Sequence, residues 1–315
     1  MELTDRVKNI LQNYRSENQG VVGNLARILM QGRLGGTGHL IILPVDQGVE
    51  HGPARSFAIN PSGYDPSYHH RLAVEAGLSA YAAPLGALEV STPDFPASVP
   101  TILKINHANS LSRQKEGADQ ALYGAVEDAL RLGCTAIGFT IYPGSDAGYD
   151  MFEEIADLIR EAKSVGLPTV LWSYPRGGAL PKEGETAMDV AGYAAHLACQ
   201  LGAHIIKVKL PTDHLEQSEA ETEFRTHHIP IGSQAERVAE VMRSCHGGRR
   251  IVLFSGGAAK ETSAVLDDAR AIRDGGGNGS IVGRNCFRRP HGEAMELLNQ
   301  MVRIYRREDG AADGS

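Results

Sequence analysis

Short apolar runs rich in β-branched residues alternate along this chain with longer stretches whose apolar positions recur every three or four residues. The short runs predict strands at His39–Val45, Ser79–Ala83, Thr101–Ile105, Thr135–Phe139, Thr169–Trp172, His204–Lys209, Ile251–Phe254 and Ser280–Gly283. The longer stretches predict helices at Tyr68–Ala76, Ala118–Leu132, Met151–Val165, Ala187–Leu201, Ala235–Ser244, Thr262–Asp274 and Glu293–Tyr305. Strand–helix alternation implies a parallel sheet covered by helices. Eight repeats favour an α/β fold of the closed (β/α)8 kind, a TIM barrel, over an open doubly wound sheet. No GxGxxG separates the first strand from its helix, which further weakens a dinucleotide-binding fold.

Residues 1–35 precede the barrel as an N-terminal helical extension, with helices expected at Leu3–Tyr14 and Val21–Gln31. These cap the bottom of the barrel or join a subunit interface. The barrel itself is expected over residues 36–306, followed by a polar tail at 307–315. Ala54–Pro66 reads as a long loop after the first strand, and Thr212–Ile229 as a polar insertion. No linker divides the chain into two domains.

Composition narrows the function classes. The chain has 315 residues, 42% hydrophobic and 22% charged, as expected of a soluble globular enzyme. A net charge of -7 argues against nucleic acid as a partner. No apolar run approaches the roughly 20 residues that span a membrane, and the N-terminus has no signal-peptide pattern. The four cysteines, Cys134, Cys199, Cys245 and Cys286, are scattered without a CxxC pair, so they read as reduced thiols in a cytoplasmic protein.

The chemistry collects at strand ends, where barrel enzymes build their active sites. The sixth strand, Ala203-His204-Ile205-Ile206-Lys207-Val208-Lys209-Leu210, sets two lysines on one face of an otherwise apolar run. A lysine inside a strand is either desolvated, and so able to act as a neutral nucleophile, or reaches out to solvent or to an anionic ligand. Lys207 lies one pleat deeper than Lys209. The first strand ends in Asp46-Gln47-Gly48-Val49-Glu50-His51-Gly52, and the third carries Lys104 and Asn106. The fifth delivers Trp172-Ser173-Tyr174-Pro175-Arg176-Gly177-Gly178.

Strands seven and eight end in the glycine turns Phe254-Ser255-Gly256-Gly257 and Val282-Gly283-Arg284-Asn285. Glycine lets backbone N–H groups approach a phosphate, and barrel enzymes frequently hold phosphate at these two loops. Ser255, Gly256, Gly257, Gly283 and Arg284 are therefore expected to bind one. Among the 12 histidines there is no HExxH and no visible three-ligand set, so no metal is expected.

Together these segments resemble the archaeal-type (DhnA-like) class I fructose-bisphosphate aldolases. The resemblance rests on Leu43–Gly52, Thr140–Ser145, Trp172–Gly177, Lys207-Val208-Lys209, Ser255-Gly256-Gly257 and Val282–Asn285, in unbroken order from about residue 38 to 290. Asp46-Gln47-Gly48 is closer to the bacterial members of this type. The resemblance implies reversible cleavage of fructose 1,6-bisphosphate to dihydroxyacetone phosphate and glyceraldehyde 3-phosphate through a lysine Schiff base, with no cofactor. It puts that lysine at Lys207 and the proton donor at Tyr174. Asp46 is expected to orient the lysine, accept a proton or fix substrate hydroxyls, and Trp172 to wall the iminium. Lys209 is expected to bind substrate or to depress its neighbour's pKa, and Arg176, Arg55 and Lys104 to take the second phosphate. Family members form large rings, so a homo-oligomer larger than a dimer is expected. A related Schiff-base aldolase, transaldolase or acyltransferase, a metal-dependent aldolase and a non-catalytic sugar-phosphate-binding barrel are the competing readings. The last would be expected to lose the lysine or Tyr174 while keeping the phosphate loops.

Overall fold

The computed structural model describes residues 2–111, 118–256 and 260–309. Among them, eight parallel strands close into a barrel in chain order: β1 (Leu40–Pro44), β2 (Ala80–Ala83), β3 (Thr101–Lys104), β4 (Ala136–Ile141), β5 (Thr169–Ser173), β6 (Ile205–Lys209), β7 (Ile251–Ser255) and β8 (Gly279–Ile281). The seam between first and last pairs Leu40 with Gly279 and Ile42 with Ile281. Gly279 adopts φ +132°, and a Cβ there would lie 2.0 Å from the Leu40 carbonyl oxygen, so closure at this point requires glycine.

Side chains alternate across each strand and sort into two apolar layers. Leu40, Ile42, Ala80, Ala82, Ile102, Ala136, Val170, Ile205, Leu253 and Ile281 fill the barrel interior. Ile41, Leu43, Tyr81, Leu103, Ile137, Leu171, Ile206 and Val252 face outward under the helices. The interior layer continues into the N-terminal extension, whose helices Asp5–Leu11 and Gln19–Leu29 contribute Val7, Ile10, Leu25, Ile28 and Leu29 to it. Tyr14 pins this plug to the barrel. Its hydroxyl donates to the His204 carbonyl at 2.6 Å and accepts from the Ile251 N–H at 2.9 Å, at the entry ends of β6 and β7. The apolar faces that seemed available for a subunit interface are thus buried within the subunit.

Most helices match their sequence pattern, including Thr262–Asp274. One does not. Only Val126–Arg131 of the expected helix over 118–132 is helical, because Ala121–Leu122 pairs antiparallel with Asn106–His107 and Asp128 accepts the Ala125 N–H at 3.0 Å where the helix begins. A helix at Leu85–Ser91 follows β2 without having been expected. The loop over 54–66 and the polar insertion carry the short helices Pro53–Phe57 and Ser218–Thr226.

Candidate active site

Lys207 sits inside the C-terminal end of the barrel, in line with Ile205 below it and Lys209 above, and is only 6% exposed. Burial is the main reason its pKa falls from 10.5 to about 7. The carboxylates of Asp46 and Glu50 oppose that fall, whereas Lys209 and Lys104 reinforce it. A substantial fraction of the amine is therefore neutral near pH 7. Trp172 is paired with Lys207 across the β5–β6 ladder and is itself buried. Its six-membered ring fits because the neighbouring strand β4 has glycine at position 138, where a Cβ would lie 2.6 Å from Trp172 Cζ3. Tyr174, two residues on, presents its ring face to the Lys207 amine at 4.4 Å and to Lys209 at 5.8 Å.

Asp46 leaves β1 pointing into the same space. It precedes the helix Gln47–His51, but its side chain makes no capping hydrogen bond there. Its Oδ2 lies 3.3 Å from Lys104 Nζ on β3. Burial alone would raise the Asp46 pKa, yet Lys104, His107 and Lys207 together hold it below the usual carboxylate range. Glu50, one turn further on, goes the other way: burial and the adjacent Asp46 charge push its carboxyl up. The site thus holds one carboxyl biased toward ionisation and another biased toward protonation, the separation that acid–base chemistry uses.

Cations ring the far side of the mouth. A cavity of about 520 Å³ joins the ends of β6, β7 and β8 and is lined by Lys209, Ser255, Gly256, Lys260, Arg237 and Arg284, among others. Lys209 forms an ion pair with Glu185 at 3.2 Å, and Lys260 one with Asp268 at 2.7 Å. Gly283 directly precedes the short helix Arg284–Phe287. Opposite, Arg176 stacks on the Tyr142 ring at 4.9 Å, and its Nη1 donates to the Tyr142 hydroxyl at 3.4 Å.

A family model described as the DeoC/LacD family aldolase matches residues 40–289 of this chain. The chain belongs to that aldolase family. Curated relatives include the probable fructose-bisphosphate aldolase class 1 of Chlamydia muridarum, 36% identical over 300 residues covering 91% of this chain and 85% of that protein. The fructose-bisphosphate aldolase class 1 of Thermoproteus tenax is 38% identical over 253 residues, covering 80% and 84%. Among solved structures, an archaeal fructose-1,6-bisphosphate aldolase with its catalytic lysine covalently bound to the carbinolamine intermediate of the substrate is similar. It matches with a TM-score of 0.74 and 31% identity, covering 90% of this chain and 98% of that one.

Within this family aldolase, the structure brings Lys207, Tyr174, Trp172, Asp46 and Lys104 into one cluster and sets Lys209, Ser255, Gly256 and Arg284 along the neighbouring cavity. Gly257 lies outside the described residues. Lys104, expected at the second phosphate, is 1% exposed, and its ammonium already faces Asp46, the Asn106 carbonyl at 2.7 Å and His107 Nδ1 at 3.4 Å. It is a buried structural cation, too deep to meet a phosphate directly. Arg55 stands exposed on the short helix after β1. Sequence reasoning missed His107, Glu185 and Lys260. The polar alternation Lys104-Ile105-Asn106-His107 signals the first, and the lysine closing Ser255-Gly256-Gly257-Ala258-Ala259-Lys260 signals the last. Nothing local signals Glu185, which reaches Lys209 from another strand's loop. No group of three or more metal-ligating side chains occurs among the described residues.

Proposed function

We propose that this chain is a class I fructose-bisphosphate aldolase that cleaves fructose 1,6-bisphosphate reversibly through a Schiff base on Lys207. The observation that carries the proposal is the buried Lys207 amine, held near a pKa of 7 against the Tyr174 ring and within reach of the Asp46 carboxylate. The neutral amine attacks the C2 ketone of the open-chain sugar. Loss of water gives an iminium that accepts the electrons of the C3–C4 bond as it breaks. Asp46, kept ionised by Lys104, takes the C4 hydroxyl proton, and glyceraldehyde 3-phosphate leaves. The remaining enamine gains a proton at C3 from Tyr174, and hydrolysis frees dihydroxyacetone phosphate. Trp172, seated in its Gly138 slot, forms an apolar wall beside the iminium.

Lys209, Ser255, Gly256, Gly283, Arg284 and Lys260 bind one phosphate at the ends of β6 to β8, and Arg176 serves the other. The ends of a bisphosphate then straddle Lys207, which places the ketone over the amine. Residues 2–35 plug the barrel as part of one catalytic unit. The protein is proposed to work in the cytoplasm, as its four unpaired cysteines suggest. It is also proposed to form a homo-oligomer larger than a dimer. The apolar surface supporting that assembly is the exposed Tyr149 and Tyr193 beside Phe152 and Leu180, not the N-terminal helices.

Borohydride reduction in the presence of dihydroxyacetone phosphate tests the central claim. It should inactivate the protein and add one label at Lys207, with activity unchanged by EDTA. Activity lost in EDTA with no label formed would overturn the mechanism, and label confined to Lys209 would overturn the residue assignment.

A further inference from the structure

Beneath the Schiff-base lysine lies a second lysine that the reaction scheme does not use directly. The Lys104 ammonium has three hydrogens and faces three acceptors: the Asn106 carbonyl oxygen at 2.7 Å, Asp46 Oδ2 at 3.3 Å and His107 Nδ1 at 3.4 Å. Its position is therefore set by a tripod, and Asp46 is one leg. Trp172 closes the remaining side, its ring centre 5.9 Å from the ammonium.

The His107 leg is built with care. The residue lies in the short antiparallel pair formed by Asn106–His107 and Ala121–Leu122, and its ring leans on Tyr123 at 5.3 Å. His107 Nε2 is 3.0 Å from the Lys104 carbonyl oxygen. A carbonyl only accepts, so Nε2 carries the hydrogen and Nδ1 is left with a lone pair directed at the Lys104 ammonium. Burial, with Lys104's charge beside it, lowers the ring's pKa to about 4, so this tautomer persists throughout the neutral range. Asn106 fixes the same corner by clasping β4. Its side chain donates to the Thr140 carbonyl at 2.8 Å and accepts from the Thr140 N–H at 2.6 Å.

We propose that His107 is a positioning residue that anchors Lys104 against Asp46 and so governs how much of the Asp46 charge reaches the Lys207 amine. The charged groups facing Lys207 are Asp46 and Glu50 from the segment after β1, Lys104 from β3 and Lys209 from its own strand. Of these four, the one that His107 hydrogen-bonds is Lys104. Without the imidazole acceptor, one buried ammonium hydrogen is left unpaired, and the side chain turns to satisfy it. Asp46 then loses its close counter-charge and attracts the protonated form of Lys207 more strongly. The proton on Lys207 is held to higher pH, and less neutral amine is present at pH 7.

The inference rests on Lys207 as the Schiff-base lysine, and the test separates the two. The pH dependence of borohydride trapping with dihydroxyacetone phosphate is measured for the wild type, His107→Leu, which removes the acceptor, and His107→Gln, which supplies an amide oxygen in its place. The modified peptide is mapped in each case. His107→Leu should move the trapping midpoint upward by about 0.5–1 pH unit, and His107→Gln should return it most of the way. Lys104→Met provides the same reading should His107→Leu not fold, and its midpoint should rise at least as far. A merely structural role for His107 would lower stability and leave every midpoint where it was. Unmoved midpoints with wild-type label on Lys207 would overturn the inference alone, as would equal shifts in His107→Leu and His107→Gln. Wild-type label on another residue would overturn the Schiff-base assignment and the inference together.

Discussion

The Lys207 amine stands over the face of the Tyr174 ring at 4.4 Å. The proposed nucleophile and the proposed proton donor therefore share one wall of the site, although they lie 33 positions apart in the chain. That wall exists because β5 and β6 are neighbours with Trp172 and Lys207 in register, so a residue two places beyond Trp172 rises beside the lysine. Tyr174→Phe should preserve the ring face and hence borohydride trapping. Exchange of the C3 proton of dihydroxyacetone phosphate with solvent, followed by NMR, should fall by about 10²–10⁴-fold. A normal exchange rate would transfer the proton step to Asp46 or to water.

The buried Lys207 amine should also shape the pH dependence of both activity and stability. With a folded-state pKa near 7, trapping and kcat/KM should rise through pH 7 as the amine deprotonates. The unfolded lysine titrates near 10.5, so between about pH 7 and 10.5 the unfolded state binds more protons than the native one. Stability from this group accordingly increases with pH across that window, and its desolvation cost is present in full below pH 7. Lys207→Met should abolish turnover while raising stability at pH 7 by about 2–4 kcal/mol, a gain that fades toward pH 10. Denaturant titrations at pH 7 and pH 10 read this directly, and equal gains at both would contradict it.

Gly138 should prove as sensitive as any polar residue at the site. A Cβ there would lie 2.6 Å from Trp172 Cζ3, between two strands that cannot separate. Gly138→Ala should push the indole toward Lys207, cost about 1–3 kcal/mol of stability and lower kcat by at least about tenfold. Trp172 is the sole tryptophan, so its fluorescence reports the displacement without interference. An unchanged spectrum with full activity would show that the slot is not tight.

The plug at the other end of the barrel should separate stability from catalysis. Tyr14→Phe removes the hydroxyl that serves the His204 carbonyl and the Ile251 N–H, leaving a buried backbone donor unpaired. Thermal unfolding should show a loss of about 1–3 kcal/mol with KM unchanged. A large change in KM instead would mean that the plug sets the position of β6 and β7 at the active-site end as well.

The architecture was legible because it depends on local signals repeated along the chain. Most strands carry a short apolar run, often β-branched, most helices a periodic stripe, and eight such units in series have few compact arrangements. The site was legible in outline for the same reason: parallel strands deliver all their C-terminal ends to one face, so Asp46, Lys104, Tyr174, Lys207 and Ser255 were bound to meet. The helix expected over 118–132 failed where Ala121–Leu122 found a partner in Asn106–His107. A pairing between distant segments overrides a local periodicity and leaves no mark within either segment.

What the sequence by itself determined is therefore the barrel, its active face and the chemical groups assembled there, since all three follow from periodicity and chain order. Only the tertiary structure decided what each group does to its neighbours. Lys104 and Lys207 are both lysines near the end of an apolar strand, yet the first is committed to Asp46, Asn106 and His107 while the second stands desolvated against Tyr174. The apolar faces of the N-terminal helices likewise look free in the sequence and are buried against the barrel floor in the fold. The physical reason is common to both cases. Burial and charge act over a few ångströms through space, and the neighbours that set them come from different strands.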